Sequence, residues 1–268
     1  MKVRNLLLAL LFTCLTPSLI SAQQTVDPTQ ARLKITAHLA SLTRHDVQSL
    51  LSGARSGNPE AQYWLALVYE EGRLVPKDMA QFESWLVKSA EQGFVRSEAR
   101  LGLFLKDKER PASERWLLRA AEQGDAEAQF WLGVAYDDNW YGTTDPQLAA
   151  RWFEKSAAQG HPDAQAILGE MYEEGRGVEQ NYGMAAEWFR KAAEHVPDLG
   201  GAGQGRNELG MLYIDGLGVP KDYVQAYMWF TLAHNEGNCD YVQTKMTTAQ
   251  VSDAQRMAEE WKKLHPEP

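Results

Sequence analysis

The sequence predicts an all-α solenoid in which pairs of helices repeat along the chain. A tryptophan returns five times in similar local sequence, at spacings of 31 to 41 residues, and a glycine follows eight residues later in every repeat but the fourth. A leucine recurs in step, directly followed by a small residue. Such self-similarity indicates stacked repeats that share one continuous core. The tryptophans are Trp85, Trp116, Trp152, Trp188 and Trp229, and the leucines are Leu65, Leu101, Leu132, Leu168 and Leu209.

The leucine marks the first helix of each unit. An apolar residue stands four positions after it, as Tyr172 does after Leu168, and this spacing places both side chains on one helical face. The small residue beside the leucine allows a neighbouring helix to approach closely. These small residues are Ala66, Gly102, Gly133, Gly169 and Gly210.

The tryptophan marks the second helix. Seven residues before it stands a residue whose side-chain oxygen can cap a helix, except in the second repeat, which has Glu109. The glycine after the helix predicts a left-handed C-terminal cap. We interpret the tryptophans as core residues rather than a ligand platform, because each has Ala or Ser four residues on. The predicted caps are Asp78, Asp145, Asn181 and Asp222.

Three loops depart from the common pattern. The second repeat is shorter by five residues between leucine and tryptophan, which indicates that its middle loop is missing. The third repeat has Trp140 and Tyr141 in this loop, where they either pack inward or form an exposed binding spot. The fifth repeat is preceded by the glycine-rich segment 195–205, which predicts a mobile surface loop.

Atypical segments flank the five repeats, which we place at residues 57–237. Residues 23–56 predict capping helices, since 46–57 resembles the second half of a repeat and 28–42 can add a further helix. Residues 238–268 predict C-terminal capping helices, one of them carrying Ala254, Met257 and Trp261 on a single face. Arrays need such ends for solubility.

The amino terminus predicts export. Residues 1–22 combine Lys2 and Arg4, an apolar run and a closing Ser21-Ala22, which is typical of a secretory signal peptide. The expected location is the periplasm, with no membrane insertion, and a lipoprotein attached through Cys14 is the alternative. Cleavage would leave Cys239 as the only cysteine, either a partly buried thiol or one used for intermolecular pairing or catalysis.

Composition favours a basic partner. The chain has 36 acidic and 27 basic residues, a net charge of −9, and losing Lys2 and Arg4 leaves 25 basic residues and a charge of −11. Such a protein repels nucleic acid and anionic membranes. No signature of a catalytic, metal or cofactor site is found, so we predict no catalytic residues, no metal and no cofactor.

The repeat pattern resembles that of Sel1-like proteins, longer-looped relatives of tetratricopeptide repeats. The family pattern is met most fully at residues 164–193 and 209–237. The resemblance implies a right-handed αα superhelix and work as a scaffold, adaptor or regulator. It says little about activity, because every signature position is a packing, capping or turn residue.

The inner surface of the superhelix is the expected binding surface. First helices line that surface in such arrays, so positions two before, two after and five after each leucine should face a groove. The alternative is an ordinary solvated helix face. The predicted partner-binding residues are Tyr63, Glu70, Phe130, Asp137, Glu170, Glu173, Asn207 and Met211.

The leading hypothesis is a non-enzymatic periplasmic module that binds a protein or peptide in this groove. The resemblance implies a narrower form, an immunity protein against a secreted phospholipase effector. One alternative is a structural scaffold or regulator of an envelope assembly. Another is a hydrolase of cell-wall or β-lactam substrates, by analogy with cysteine-rich family members. The sequence predicts neither the partner's identity nor the oligomeric state.

Processing of the amino terminus gives a direct test. We expect the exported chain to begin near Gln23, because the small residues at positions 21 and 22 fit a signal-peptidase site. Intact-mass spectrometry of the exported protein measures this, and a Cys14→Ser variant serves as a control that should mature identically. A retained N-terminus, or a diacylated chain that starts at Cys14, would contradict it.

Overall fold

The computed structural model describes residues 28–196 and 200–266, and this part of the chain is helical with no strand. The signal-peptide prediction lies outside the described residues. The helices are α1 (Pro28–Ser41), α2 (Arg44–Arg55), α3 (Pro59–Glu71), α4 (Met79–Glu91), α5 (Val95–Leu105), α6 (Arg110–Glu122), α7 (Ala126–Asp137), α8 (Pro146–Ala158), α9 (Pro162–Glu174), α10 (Tyr182–Ala193), α11 (Gly201–Asp215), α12 (Tyr223–Leu232), α13 (Glu236–Gln243) and α14 (Thr248–Leu264).

The helices form five pairs, α3/α4 to α11/α12, and each pair packs against the next. Within a pair the two helices pack against each other, and first helices also contact one another, as α9 does with α11. This arrangement confirms the predicted all-α solenoid. No helix within the described ranges combines the length and apolar character needed to cross a bilayer.

Capping side chains define where the second helices begin. The Asp145 carboxylate accepts from the backbone N–H of Leu148 at 2.9 Å, and Asn181 accepts from that of Met184 at 3.0 Å. Glu109 makes no capping bond, as predicted. Gly93, Gly124 and Gly160 end α4, α6 and α8 with φ of 80° to 93°, which also confirms the prediction.

The fifth repeat ends differently. Its second helix, α12, stops at Leu232, and the left-handed position is taken by His234 with φ 54°. Gly237 instead lies inside α13, so the predicted glycine cap is wrong there. The early stop lets α13 turn against the last pair.

The closest contact within a pair joins the small residue of the first helix to the residue that follows the tryptophan. A Cβ added to Gly133 would lie 2.6 Å from the Phe153 ring, and one added to Gly169 would lie 2.6 Å from the Phe189 ring. Both rings are fully buried. The glycine therefore sets a helix separation that a larger side chain would prevent.

The repeat tryptophans pack at the interfaces between pairs. Trp116, Trp152, Trp188 and Trp229 are 6–9% exposed, which confirms the core assignment, and Trp85 is only partly buried. A basic side chain three residues on lies over the ring in every repeat but the fifth, which has Leu232 at this position. Lys155 lies 4.0 Å above Trp152 and Lys191 lies 3.7 Å above Trp188. The alkylammonium group thus covers the edge of the core by cation–π contact.

Buried amides join successive pairs. The Gln129 side chain donates to the carbonyl of Ala121 at 3.0 Å and accepts from Gln159 at 2.7 Å. Gln62 in the first repeat and Gln165 in the fourth make the same donated bond, so the bond recurs in the first, third and fourth repeats. The second repeat has Glu98 at this position.

Glu98 is fully buried and cannot donate as the glutamines do. It keeps the bond accepted within its own pair, from Gln123 at 2.6 Å, and it also pairs with Arg119 of that pair at 2.8 Å. Burial raises the pKa of Glu98, and the attraction of Arg119 opposes that rise. The shortened repeat thus keeps the contact within its pair through a buried carboxylate and a partly exposed arginine.

The segment 195–205 is not the loop that glycine content predicts, because α11 begins at Gly201. Gly201 and Gly205 are buried, and a Cβ at Gly205 would lie 2.7 Å from Cβ of Ala192. Glycine here serves close packing of α11 on α10 rather than freedom of the chain. Residues 197–199 lie outside the described residues.

The end helices cover the outer pairs. Arg73 donates to the carbonyls of Leu39, Ala40 and Leu42 at the carboxyl end of α1, at 2.6 to 3.2 Å. At the other end Ala254 and Ala258 of α14 are buried against the last pair. Their function in keeping the array soluble stays a prediction.

Candidate partner-binding wall

The candidate site is the face of α3, α5, α7, α9 and α11 that carries the positions two before, one before, two after and five after each repeat leucine. We call it the first-helix wall. Predicted site residues on it contact the next repeat. Glu70 pairs with Arg100 at 2.6 Å, Asp137 pairs with Arg176, and Glu170 accepts from Gln204. Polar contacts of this kind join neighbouring repeats across the wall, and we call each such junction a seam.

Two predicted residues are not surface contacts. Tyr63 is 4% exposed and packs against Trp64 and Phe94, at ring distances of 5.3 and 5.5 Å. Phe130 is 7% exposed and stacks on His161 at 4.4 Å. Each ring packs into the turn that opens the next pair, so little of it is exposed on the wall, and its binding to a partner stays a prediction.

The sequence analysis missed the position one before each leucine. Its side chains are exposed or half-buried on the wall, in contrast to the rings two before the leucine. The position lies three residues before a predicted wall position, so helical spacing could have identified it. These residues are Trp64, Arg100, Trp131, Ile167 and Glu208.

The wall ends beneath α13. The Asn207 side-chain oxygen accepts from Asn235 at 2.6 Å and from Asn238 at 3.4 Å, while Asn238 also lies 3.9 Å from Sδ of Met211. Both predicted residues, Asn207 and Met211, are half-buried by these contacts. Their ability to bind a partner stays untested.

The middle loop of each repeat determines the charge at the seam with the preceding repeat. In the fourth repeat the loop residue eight positions after the repeat leucine is Arg176. It pairs with Asp137, which stands five positions after the leucine of the third repeat. In the fifth repeat the equivalent positions hold Leu217 and Glu173. Among the described residues the Glu173 carboxylate forms no ion pair. The fourth repeat thus places a cation beside the carboxylate of the preceding repeat, whereas the fifth repeat has leucine at that position.

Carboxylates gather at this unmatched seam. Burial raises the pKa of Glu173, and repulsion from Glu208, Glu170, Glu174 and Asp215 raises it further. Burial likewise raises the pKa of Glu170, although the bond from Gln204 opposes the rise. The cluster therefore holds negative charge at a free-energy cost to the isolated chain.

The two aromatic residues in the middle loop of the third repeat lie in different environments, one packed inward and one on the wall side. Tyr141 packs inward, with its ring 5.8 Å from that of Tyr136 and against the cluster that contains Trp152. Trp140 remains half-buried on the wall side, 5.8 Å from the Trp131 ring.

Cys239 fits the partly buried thiol of the first alternative. Its Sγ lies 3.7 Å from Oγ1 of Thr231, and burial raises the pKa of the thiol. A raised pKa leaves little of the nucleophilic thiolate near neutral pH. Within residues 28–196 and 200–266 no group of three or more His, Cys, Asp or Glu side chains is placed to hold a metal.

The unmatched seam predicts a pH-dependent stability. The pKa of Glu173 is higher in the folded chain than its ordinary value of 4.5, so folding takes up protons between these two pKa values. The charge on Glu173 therefore lowers the free energy of unfolding as the pH rises through that window. We expect Glu173→Gln to stabilise the chain at pH 7 by less than about 1 kcal/mol, because the group is partly solvated. The gain should shrink towards pH 4.5.

Urea unfolding of both proteins across this range measures the difference. Glu174→Gln is the matched control, since Glu174 is exposed and pairs with Arg176 at 3.0 Å, and it should give no stabilisation. The account of carboxylate repulsion would be contradicted if Glu173→Gln gave no stabilisation, or a stabilisation that did not depend on pH.

Comparison with known proteins agrees with this architecture. A family model described as Sel1 repeat matches residues 59–94, 100–125, 126–161, 162–195 and 204–238, which is more than half of the chain. A search of the curated proteins gives no match.

Two solved structures are similar over most of the chain. One is c5321, described as a protective antigen present in uropathogenic Escherichia coli strains and displaying an SLR fold. It is 33% identical with a TM-score of 0.72, over 81% of this chain and 48% of that one. The chain thus spans about half the length of the antigen. The other is a Sel1 repeat protein from Oxalobacter formigenes, 24% identical with a TM-score of 0.65, over 82% of this chain and 70% of that one.

The family matches coincide with the helix pairs that the structure shows. Sel1 repeats mediate protein interactions, and that general role agrees with a wall of charged seams. The chain belongs to the Sel1 repeat family.

Proposed function

We propose that the chain is a non-enzymatic module that binds a basic protein or peptide along the first-helix wall. The observation that carries the proposal is the unmatched seam, where Leu217 takes the position equivalent to Arg176 and Glu173 forms no ion pair among the described residues. A lysine or arginine of the partner placed there would supply the charge that Arg176 supplies to Asp137 one repeat earlier.

Binding at this seam has a defined driving force. The raised pKa values of Glu170 and Glu173 reflect burial together with carboxylate repulsion, and a partner cation relieves the repulsion. The same field accelerates encounter with a basic partner, and salt screens it over about 8 Å at physiological ionic strength. Association should therefore depend on ionic strength more than dissociation does.

The location we propose is the periplasm. Its support is the sequence pattern of residues 1–22, in which two basic residues precede an apolar run and small residues close it. Immunity against a secreted phospholipase effector is the narrower form of the proposal, and it rests on the family resemblance alone. Loss of self-protection on deleting the gene, restored by the wild-type chain, would distinguish it from an envelope scaffold.

Charge reversal on the wall tests the proposal. We expect Glu170→Lys with Glu173→Lys to slow association with a partner recovered from periplasmic extract by about tenfold or more at low salt, because steering then becomes repulsion. Surface plasmon resonance at several salt concentrations separates the association and dissociation rates. Thermal melting confirms that the variant remains folded.

The matched control reverses two exposed carboxylates on second helices, Glu154→Lys with Glu187→Lys. It makes the same change in net charge away from the wall and should slow association much less. Equal slowing by both variants would show a net-charge effect. A wild-type association rate for the wall variant would show that this surface does not bind the partner.

A further inference from the structure

A buried histidine lies next to the first-helix wall. His161 stands at the start of α9, is 2% exposed, and stacks on the Phe130 ring with centres 4.4 Å apart. Its Nδ1 accepts from the backbone N–H of Ala164 at 3.5 Å, as Asn58 and Asp125 accept at the starts of α3 and α7. Neither asparagine nor aspartate can become positively charged, whereas an imidazole takes up a proton near pH 6.5. The fourth repeat therefore has a titratable cap where other repeats have none that becomes a cation.

The second ring nitrogen of His161 has no hydrogen bond among the described residues. Because Nδ1 accepts, the neutral ring carries its proton on Nε2, which is buried and lies 3.6 Å from Oε2 of Glu127, beyond hydrogen-bond range. The other oxygen of that carboxylate, Oε1, accepts from the Trp131 indole N–H at 2.7 Å. One carboxylate thus lies between the buried histidine and an indole ring that is half-buried on the wall.

Opposing contacts act on the charge of His161. Burial and the positive amino end of α9 disfavour an imidazolium, which also cannot accept at Nδ1 as the cap requires. Two carboxylates favour it, since Glu127 lies 3.6 Å from Nε2 and Asp163 lies 3.9 Å from Nδ1. A further titratable ring, His195 after α10, lies 4.0 Å from where Gly160 would carry a Cβ. The fold thus holds the ring where its own helix resists a proton and two carboxylates attract one.

We propose that His161 is a pH-sensitive switch for the wall: the imidazolium formed at mildly acidic pH pairs with Glu127 and draws that carboxylate away from the Trp131 indole. The proton comes from solvent, and no covalent bond of the chain changes. Closing the 3.6 Å gap to a charge-assisted hydrogen bond requires a movement of about 0.8 Å. Trp131 then loses or lengthens the bond that fixes its ring. The inference rests on the proposed function only in giving the wall a partner.

NMR of the free chain tests the switch. The ring signals of His161 and the indole N–H signal of Trp131, assigned through His161→Asn and Trp131→Phe, are followed from pH 8 to pH 5.5. We expect the Trp131 signal to shift with the same midpoint as the His161 ring. In His161→Asn, which introduces the cap residue that Asn58 provides in the first repeat, the Trp131 signal should stay still.

Two further variants separate the switch from its surroundings. His195→Gln is the matched control, because the equivalent position of the first three repeats holds glutamine, and it should leave the Trp131 titration unchanged. Glu127→Gln should lower the His161 midpoint by at least about 0.5 pH unit, because the attraction is lost, and should uncouple Trp131 from it. This variant also tests the link should His161→Asn lose stability, and melting temperatures at pH 7.5 show which variants are folded.

The inference is overturned if His161 does not titrate in this range, if the Trp131 signal does not follow it, or if the Trp131 shift persists in folded His161→Asn. Such a result leaves the acidic seam standing, since that seam is tested by charge reversal at Glu170 and Glu173. Conversely, charge reversal without effect on association would reject the acidic seam, whereas the coupled titration of His161 and Trp131 would still establish the switch.

Discussion

The structure depends on the contact between the small residue of each first helix and the residue that follows each tryptophan. At Gly133, Gly169 and Gly210 the facing phenylalanine ring lies where a Cβ would be, within 2.6 to 2.7 Å. Close packing of this kind fixes the separation of two helices, since interiors tolerate little change in volume. The first repeat achieves a similar core with a smaller pair, Ala66 and Leu86.

That constraint determines where the wall's side chains meet. With each pair held at one separation, the buried glutamine amides align with carbonyls of the preceding pair, and the loops reach the preceding first helix. The scaffold is periodic, but the seam residues are not. Asp137 pairs with Arg176, Lys106 lies near the Trp140 ring, and Leu217 stands at the position where a cation would meet Glu173. Binding specificity can therefore vary from seam to seam without altering the core.

The sequence predicts the scaffold well because its signals are local. Asp145 caps a helix from its own first turn, and Gly160 ends the helix before it through its own backbone, so spacing identifies both. Gly205 misleads for the opposite reason. Its glycine is required by α10, which is adjacent in space, and composition alone cannot distinguish close packing from flexibility.

The site was harder to predict than the fold. Helical spacing placed Glu170 and Glu173 on a common wall, yet it could not show that Tyr63 and Phe130 turn into the seams. The pairing of Arg176 with Asp137 spans 39 residues and depends on how far each loop reaches back. Only after that distance is known does Leu217 become informative, as the residue that leaves Glu173 without a cation.

A double-mutant cycle at Gly133 and Phe153 measures the central contact most directly. Gly133→Ala alone should lower the free energy of unfolding by about 1–3 kcal/mol, because the new methyl group overlaps the ring. In a Phe153→Leu background, which approximates the Ala66 and Leu86 pair, the same change should cost at least about 1 kcal/mol less. Gly237→Ala, where a Cβ meets nothing closer than 3.8 Å, is the control and should not destabilise. Additivity of the two changes within about 0.5 kcal/mol would contradict the account.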